Sequence, residues 1–276
     1  MPARPPGRDT SLPAGPDGSL DFSTTGSGLP ATVFAHGLTG SIETTRPFGS
    51  GVTGSRTFIH FRGRGTSAAA QTPWTYAALA DELRAVADQV GATQALGVSM
   101  GAGALCSLLA HTPLRFERLV FVMPAVLDRP RGDEALDRLV DMAQRVDQHD
   151  LEGLTALLLE GEPLSVRTQP AVQLWCSRQA AMLAGTPVSG ALRMLPTAVP
   201  LTDRGALAAV TVPTLVIAQE EDPLHPVWVA EQLAASLPDA QLEVMAPGGI
   251  LWRHRAVMRD LVGGFLSAEP RRRPPG

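Results

Sequence analysis

The chain has 276 residues and a mean hydropathy of +0.06, with 44% hydrophobic and 18% charged residues. This composition supplies apolar material for a large core, excludes a disordered chain, and fits one long α/β domain. The net charge of -4, from 23 basic and 27 acidic residues without a dense basic stripe in the folded part, argues against binding to a phosphate backbone. We therefore expect no nucleic-acid partner.

The chain ends and the cysteines bear on where the protein works. Residues 1–18 are rich in Pro and Gly and lack the apolar core of a secretory signal, and no run approaches the ~20 apolar residues of a membrane span. Cys106 and Cys176 are too few for a disulfide framework and lack metal-site spacing. We expect a cytoplasmic protein with no membrane partner, and disordered tails at residues 1–18 and 268–276.

Short runs rich in β-forming residues alternate with helical patterns. Several of the runs are apolar at nearly every position, which indicates strands buried on both faces. The predicted strands cover residues 31–35, 56–61, 94–98, 118–123, 212–218 and 241–246. Helical spacing predicts helices over residues 75–90, over residues 226–237 and around Met258 and Phe265. This alternation predicts an α/β fold with a mostly parallel sheet flanked by helices.

Residues 127–200 interrupt that alternation. Their pattern is mostly helical, clearest over residues 135–146 and 151–159, and they separate two strands of one series. The sequence therefore predicts a helical cap inserted into a core made of residues 19–126 and 201–267.

The segment Gly97-Val98-Ser99-Met100-Gly101 lies between a predicted strand and a predicted helix. A Ser on so tight a turn presents its hydroxyl as a nucleophile, and the helix N-terminus behind it favours negative charge at the reacting centre. Side chains at Gly97 and Gly101 would collide with neighbouring chain. The pattern predicts a nucleophile elbow at Ser99.

Other segments resemble the α/β-hydrolase superfamily. His36-Gly37 directly follows a predicted strand, as the start of that superfamily's oxyanion loop does. Residues 62–67 (Arg-Gly-Arg-Gly-Thr-Ser) are similar to its Arg-Gly-x-Gly-x-Ser segment, and the strand leading to Asp222 resembles its acid-bearing strand. The resemblance covers residues 19–266 and implies an α/β-hydrolase fold with its catalytic residues in the order Ser, Asp, His.

The resemblance also implies roles for single residues. Ser99 is the expected nucleophile, and Asp222 is the expected acid that orients a His base. The N–H groups of Leu38 and Met100 are the expected donors to an oxyanion. For Asp222 the alternative is a purely turn-forming role beside the proline that follows it. For His36 the alternatives are anchoring of its turn and contact with substrate.

The catalytic base is where the chain departs from the family. In the loop after the last strand, where the family places its His, this chain has Ile250, which cannot accept a proton. His254 is the nearest candidate base, displaced along the predicted helix by about 6 Å. The alternative for His254 is a core or surface position without a chemical role.

The remaining histidines have weaker claims on the chemistry. His225 follows Asp222 too closely for the usual triad geometry, so it is expected to line the site or face solvent. His60 ends a strand and is expected to be structural or to lie near the pocket floor. The residues expected to contact substrate are His36, Gly37, Trp175, Met182, Met194 and His225. No metal-ligand spacing and no Gly-rich phosphate loop occurs, so no cofactor is expected.

Together these features predict a serine hydrolase that cleaves a small, largely apolar ester, thioester or lactone through an acyl-enzyme on Ser99. A Ser nucleophile, rather than an Asp, argues against the dehalogenase and epoxide-hydrolase branches of the superfamily. The alternative is a non-hydrolytic or ligand-binding protein on the same fold, with its base lost at Ile250. The expected partner is a small-molecule substrate, and the oligomeric state stays open between monomer and homodimer.

Overall fold

A computed structural model describes residues 13–15, 18–130 and 134–268 of the chain. In the segment predicted as an N-terminal tail, the backbone of Pro13–Gly15 (β1) pairs with Gly18–Ser19 (β2) in an antiparallel ladder. All of this ladder except Ser19 lies within the segment predicted as a tail. The rest of both predicted tails, apart from residue 268, lies outside the described residues.

A seven-stranded sheet forms the centre of the described molecule, with the strand order β3-β5-β4-β6-β7-β8-β9. Its strands are β3 (Phe22–Thr25), β4 (Ala31–Ala35), β5 (Ser55–Ile59), β6 (Gln94–Val98), β7 (Arg118–Val122), β8 (Thr214–Gln219) and β9 (Ala240–Met245). Every neighbouring pair is parallel except β3 with β5. The predicted mostly parallel α/β sheet is thus confirmed, and the edge strand β3 is an addition that the sequence pattern did not indicate.

Helices cover both faces of the sheet. They are α1 (Ile42–Thr45), α2 (Tyr76–Gln89), α3 (Met100–His111), α4 (Glu134–Gln148), α5 (Leu151–Gly161), α6 (Pro170–Ala184), α7 (Ser189–Met194), α8 (Val227–Ala235) and α9 (Arg255–Ser267). Shorter 3₁₀ turns span Arg46–Gly49, Leu195–Thr197 and Arg204–Ala209, and a π-helical turn spans Gly249–Arg253. Leu79, Leu83 and Val86 of α2 are buried on one face of the sheet, whereas Met258 and Val262 of α9 are buried on the other. The spacing of apolar residues along each helix explains which side of the helix packs against the sheet.

The described part of residues 127–200 carries helices α4 to α7 and no strand. The helices predicted over residues 135–146 and 151–159 correspond to α4 and α5. This segment leaves the sheet at the carboxyl end of β7, the edge where open α/β sheets bind their ligands, and residues 201–213 return the chain to the amino end of the parallel strand β8. Within the described residues, no helix is both long enough and apolar enough to cross a membrane.

Candidate active site

Ser99 lies in the turn that joins β6 to α3. Its backbone has φ 51° and ψ -109°, a conformation that a residue with a side chain rarely adopts. Its N–H donates to the Val122 carbonyl at 2.9 Å, and its carbonyl accepts from the Gly103 N–H at 3.1 Å. Backbone strain of this kind persists where surrounding structure enforces it, which is a common property of functional sites.

The two glycines of the Ser99 turn have no room for a side chain. A Cβ on Gly97 would lie 2.5 Å from the Gly101 carbonyl oxygen, and a Cβ on Gly101 would lie 2.5 Å from the Ala35 carbonyl oxygen. Both contacts are with backbone, which cannot swing aside as the end of a side chain can. The structure thus shows the collision that the sequence pattern suggested.

We predict that Gly101→Ala destabilises the protein, because overpacking against backbone costs about 1–3 kcal/mol or more. Gly264→Ala is the matched control, since a Cβ on Gly264, in α9, meets nothing within 4 Å. That helical substitution should raise the free energy of unfolding by roughly 0.5–1 kcal/mol. Urea denaturation of both variants measures the difference, and equal effects would contradict the packing described.

Backbone strain recurs at the ends of the next two strands. Met123, directly after β7, has φ 47°, and Glu221, two residues after β8, has φ 58°. Met123 lines the same cavity as Ser99, and Glu221 immediately precedes Asp222. Three adjacent strands therefore end in positive-φ residues around one site.

His225 brings Ser99 and Asp222 into one hydrogen-bonded chain. Its Nε2 lies 2.9 Å from the Ser99 Oγ, and its Nδ1 lies 3.0 Å from a carboxylate oxygen of Asp222. An ionised carboxylate only accepts, so the proton between His225 and Asp222 belongs to Nδ1. Nε2 is then free to accept the Ser99 hydroxyl proton, as a general base must.

The Asp222 carboxylate is held by its own turn. Its Oδ1 accepts from the backbone N–H groups of Leu224 at 2.9 Å and His225 at 3.1 Å. Burial raises the pKa of Asp222, but the charge and hydrogen bond of His225 and the two backbone donors outweigh it, so the pKa lies below its ordinary value. An ionised Asp222 can stabilise a protonated imidazole.

The structure corrects the prediction that His225 lies too close to Asp222 to receive its carboxylate. Pro223 restricts the backbone between them, and the two hydrogen bonds to the Asp222 carboxylate fold the chain back on itself. Side chains three residues apart therefore face each other. The Asp-Pro pair, which the sequence analysis weighed only as a turn, was the signal for this arrangement.

His254 is not the imidazole that contacts Ser99, which corrects the assignment of the base. Its Nε2 donates to the Ala246 carbonyl at 2.8 Å, and it is absent from the cavity lining. The π-helical turn that starts at Gly249 carries His254 beyond the site before α9 begins. Ile250 is buried and lines the cavity, at the place where the family has its His.

The loop after β4 passes directly over Ser99. A Cβ on Gly37 would lie 3.4 Å from the Ser99 Cβ. Neither the Leu38 N–H nor the Met100 N–H has an acceptor among the described residues, and both residues line the cavity. Arg64 donates to the Leu38 carbonyl at 2.7 Å and so fixes the peptide group between Leu38 and Thr39. Burial lowers the pKa of Arg64 to about 10.

His36 and His60 are structural in this fold. His36 is completely buried, its Nδ1 donates to the Gly37 carbonyl at 2.7 Å, and its Nε2 accepts from the Phe61 N–H at 3.2 Å. Burial lowers the pKa of His36 well below its ordinary value, which suits this neutral tautomer. The expected substrate contact of His36 is therefore wrong. His60 bonds to Asp21 at 2.9 Å, away from the cavity lining.

A cavity of about 280 Å³ opens beside Ser99 and His225 and extends under the cap. Leu139, Leu157 and Trp175 are among its apolar cap residues, and the contact of Trp175 with substrate stays a prediction. Met182 and Met194 do not line the cavity, which corrects their predicted contact with substrate. Met182 is two turns further along α6 and packs against the main core, and Met194 is 42% exposed at the end of α7.

Glu162 connects the cap to the turn before α9. Its carboxylate accepts from the Trp252 indole N–H at 2.7 Å, and the Trp252 ring packs edge-on against Trp175 with centroids 5.8 Å apart. Burial is the largest effect on the pKa of Glu162 and raises it above its ordinary value of 4.5. The Trp252 hydrogen bond and the Arg167 charge lower this pKa and the Asp222 charge raises it, but the net direction is upward. Ionised Glu162 therefore costs folding free energy.

We predict that Glu162→Gln raises the melting temperature at neutral pH, because the amide oxygen still accepts from Trp252 and the buried charge is removed. A carboxyl group whose pKa is higher in the folded than in the unfolded protein lowers the stability of the fold when it ionises. This loss of stability is absent below the pKa of the unfolded state and grows as the pH rises towards and through the pKa of the folded state. The gain should therefore vanish near about pH 4. Glu160→Gln, at an exposed position, is the control. A gain that is equal at both pH values would contradict this account.

No group of His, Cys, Asp and Glu side chains in the described residues is arranged to hold a metal ion. The chemistry that these residues can perform alone is nucleophilic: a hydroxyl, a base that contacts it, an acid that orients the base, and two unused N–H donors.

Solved structures of other proteins have a fold similar to that of this chain. A thermophilic esterase from Thermogutta terrifontis is 22% identical, with a TM-score of 0.74 over 92% of this chain and 96% of that one. An esterase from Exiguobacterium antarcticum is 20% identical, with a TM-score of 0.76 over 94% and 99%. A hydrolase from Pseudomonas aeruginosa is 25% identical, with a TM-score of 0.71 over 94% and 99%.

Sequence comparison points the same way. No curated protein gives a significant match to the chain. The family model described as the alpha/beta hydrolase fold matches residues 30–250, which include β4, the Ser99 turn, the cap and the Asp222 turn. With its sheet order and its strand-to-helix turn at Ser99, the chain belongs to the alpha/beta hydrolase fold family.

Proposed function

We propose that this protein is a serine hydrolase that cleaves a small, largely apolar ester, thioester or lactone through an acyl-enzyme on Ser99. One observation carries the proposal: the Ser99 Oγ lies 2.9 Å from an imidazole nitrogen of His225, whose other nitrogen lies 3.0 Å from the Asp222 carboxylate. Nucleophile, base and orienting acid are recognised by this geometry, whatever their order in the chain.

Each residue has one role in the proposed reaction. The Ser99 Oγ attacks the substrate carbonyl as His225 Nε2 takes its proton, while the N–H groups of Leu38 and Met100 donate to the developing oxyanion. The protonated His225 then gives its proton to the leaving oxygen or sulfur, and the acyl group stays on Ser99. A water, deprotonated by His225, attacks the acyl carbonyl and releases the acid, which restores the Ser99 hydroxyl.

The non-hydrolytic alternative rested on the loss of the base at Ile250. The contact between His225 and Ser99 supplies a base from another loop and so favours hydrolysis. The esterases of similar fold support the choice by analogy, although a fold alone does not fix an activity. The many apolar side chains that line the cavity favour an apolar group on the substrate.

Trapping of the acyl-enzyme tests the proposal. Wild-type protein mixed with p-nitrophenyl butyrate and quenched in acid should show a butyryl group on the peptide that contains Ser99, together with steady release of p-nitrophenol. Thioesters and lactones of similar size extend the panel. If no member of the panel is turned over and no acyl group is found on Ser99, the ligand-binding alternative replaces the proposal.

A further inference from the structure

Arg138 is a guanidinium in the wall of an otherwise largely apolar cavity. It lies on the cap helix α4, next to Leu139 and one turn before Met142, and all three residues line the cavity that holds Ser99. The side chain is partly buried. A cation in such surroundings loses hydration, and this loss is normally offset by a paired carboxylate.

The Arg138 guanidinium is poorly matched within the described protein. One of its nitrogens, Nη2, donates to the Leu157 carbonyl. Its Nε is buried without an acceptor, and no carboxylate of the described residues forms an ion pair with it. Guanidinium carries five N–H donors, and the Leu157 carbonyl is the acceptor that the described residues supply to Arg138.

Other cap arginines show the contrast. Arg145 pairs with Asp141 at 3.1 Å and with Asp150 at 2.7 Å, and Arg193 pairs with Asp147 at 2.6 Å. These two side chains are about one-third or more exposed and do not line the cavity, whereas Arg138 does. Arg138 therefore differs from Arg145 and Arg193 in lining the cavity without a carboxylate partner among the described residues.

Glu162 is the acidic cap residue in the same lining, and it does not serve as the missing partner. Its carboxylate accepts from the Trp252 indole and forms no ion pair with Arg138 among the contacts of the described residues. Gln179, on α6, also lines the cavity and has no hydrogen-bond partner in the described structure. Among the described residues, the cap wall thus presents a cation without a carboxylate partner and an amide without a hydrogen-bond partner.

We propose that Arg138 binds a carboxylate on the substrate, so that the substrate is an ester or thioester with a second, free carboxylate remote from the scissile carbonyl. This assignment rests on the proposed hydrolase function. Ser99 reaches the cavity from the sheet and Arg138 reaches it from the cap, and apolar side chains such as those of Leu139 and Leu157 line the same cavity. A short apolar chain with a carboxylate at its far end matches that order, and a guanidinium binds carboxylate with two parallel hydrogen bonds.

Two esters that differ only in one charge provide the test. Mono-p-nitrophenyl glutarate carries the free carboxylate, and its methyl ester is neutral and has the same acyl chain. The quantity measured is the ratio of kcat/KM for the acid to kcat/KM for the methyl ester. For wild type we expect the ratio to exceed one, and for Arg138→Met we expect it to fall roughly 10- to 100-fold, the range of a charge-assisted hydrogen bond.

Arg193→Met is the matched control, since it removes a cap arginine that pairs with Asp147 outside the cavity, and its ratio should equal that of wild type. Arg138→Lys keeps the charge but loses the two-pronged geometry, so its ratio should lie between those of wild type and Arg138→Met. If Arg138→Met does not fold, Arg138→Gln, which keeps a donor for the Leu157 carbonyl, replaces it in the comparison.

The outcomes separate the two proposals. Hydrolysis of both esters with a ratio unmoved by the Arg138 variants overturns the carboxylate assignment and leaves the hydrolase standing. Hydrolysis of neither ester, nor of any neutral ester, overturns the proposed function and with it this assignment. A ratio that falls equally in Arg193→Met and Arg138→Met would show a general effect of cap charge and would also overturn the role of Arg138.

Discussion

Replacement of His225 by Ala should lower ester turnover on the order of 10⁴- to 10⁶-fold, the range expected when the base of a serine triad is removed. His225 is the side chain within hydrogen-bond distance of the Ser99 hydroxyl, so without it the hydroxyl loses its proton acceptor. The measurement is kcat/KM with p-nitrophenyl butyrate, next to the melting temperature, because the side chain is also part of the Asp222 turn.

His254→Ala is the matched control for that loss. Its imidazole bonds to the Ala246 carbonyl and does not line the cavity, so turnover should change less than about threefold. A large loss with His254→Ala, or an active His225→Ala variant, would return the base to the loop after β9. Ile250→His should not raise turnover, because the place of the base is already filled from the β8 loop.

Ser99→Ala should abolish turnover, with a loss on the order of 10⁵-fold or more, while the protein stays folded. The loss follows from the absence of a nucleophile, and a single Cβ fits a turn that already carries one. The losses of turnover caused by substituting residues that act as one unit do not add. The double variant of Ser99→Ala and His225→Ala should therefore be no slower than Ser99→Ala alone. Turnover that survives in Ser99→Ala would remove this residue from the mechanism.

The sequence predicted those parts of the fold that depend on local pattern. Strands β4 and β6 have the predicted bounds because they are buried on both faces and apolar at nearly every position. The Ser99 turn could be predicted because its glycines stand where the local backbone leaves no room for a side chain. Strand β3, with the sequence Phe-Ser-Thr-Thr, was missed because it is a short edge strand with polar residues, and its pairing with β5 is a tertiary contact.

The base could not be predicted in the same way. Ile250 occupies the position where the family has its His, so the sequence pattern pointed to His254, the nearest histidine. The alternative depends on hydrogen bonds from two backbone N–H groups to the Asp222 carboxylate, and the spacing of residues alone does not reveal them. The position of Arg138 could not be predicted from the sequence either. The periodicity of α4 shows which face of the helix is apolar, but it does not show that an arginine next to that face reaches the cavity.

Labelling by a fluorophosphonate tests the central claim, an activated Ser99, most directly, because the probe reacts only with a serine whose proton a base accepts. The rate of labelling is measured for wild type, His225→Ala, His254→Ala and Ser99→Ala, and the modified peptide is identified by mass. We predict that wild type and His254→Ala are labelled on Ser99 at the same rate and that His225→Ala and Ser99→Ala are not labelled. An unlabelled wild type, or labelling that is lost in His254→Ala and kept in His225→Ala, would contradict the account.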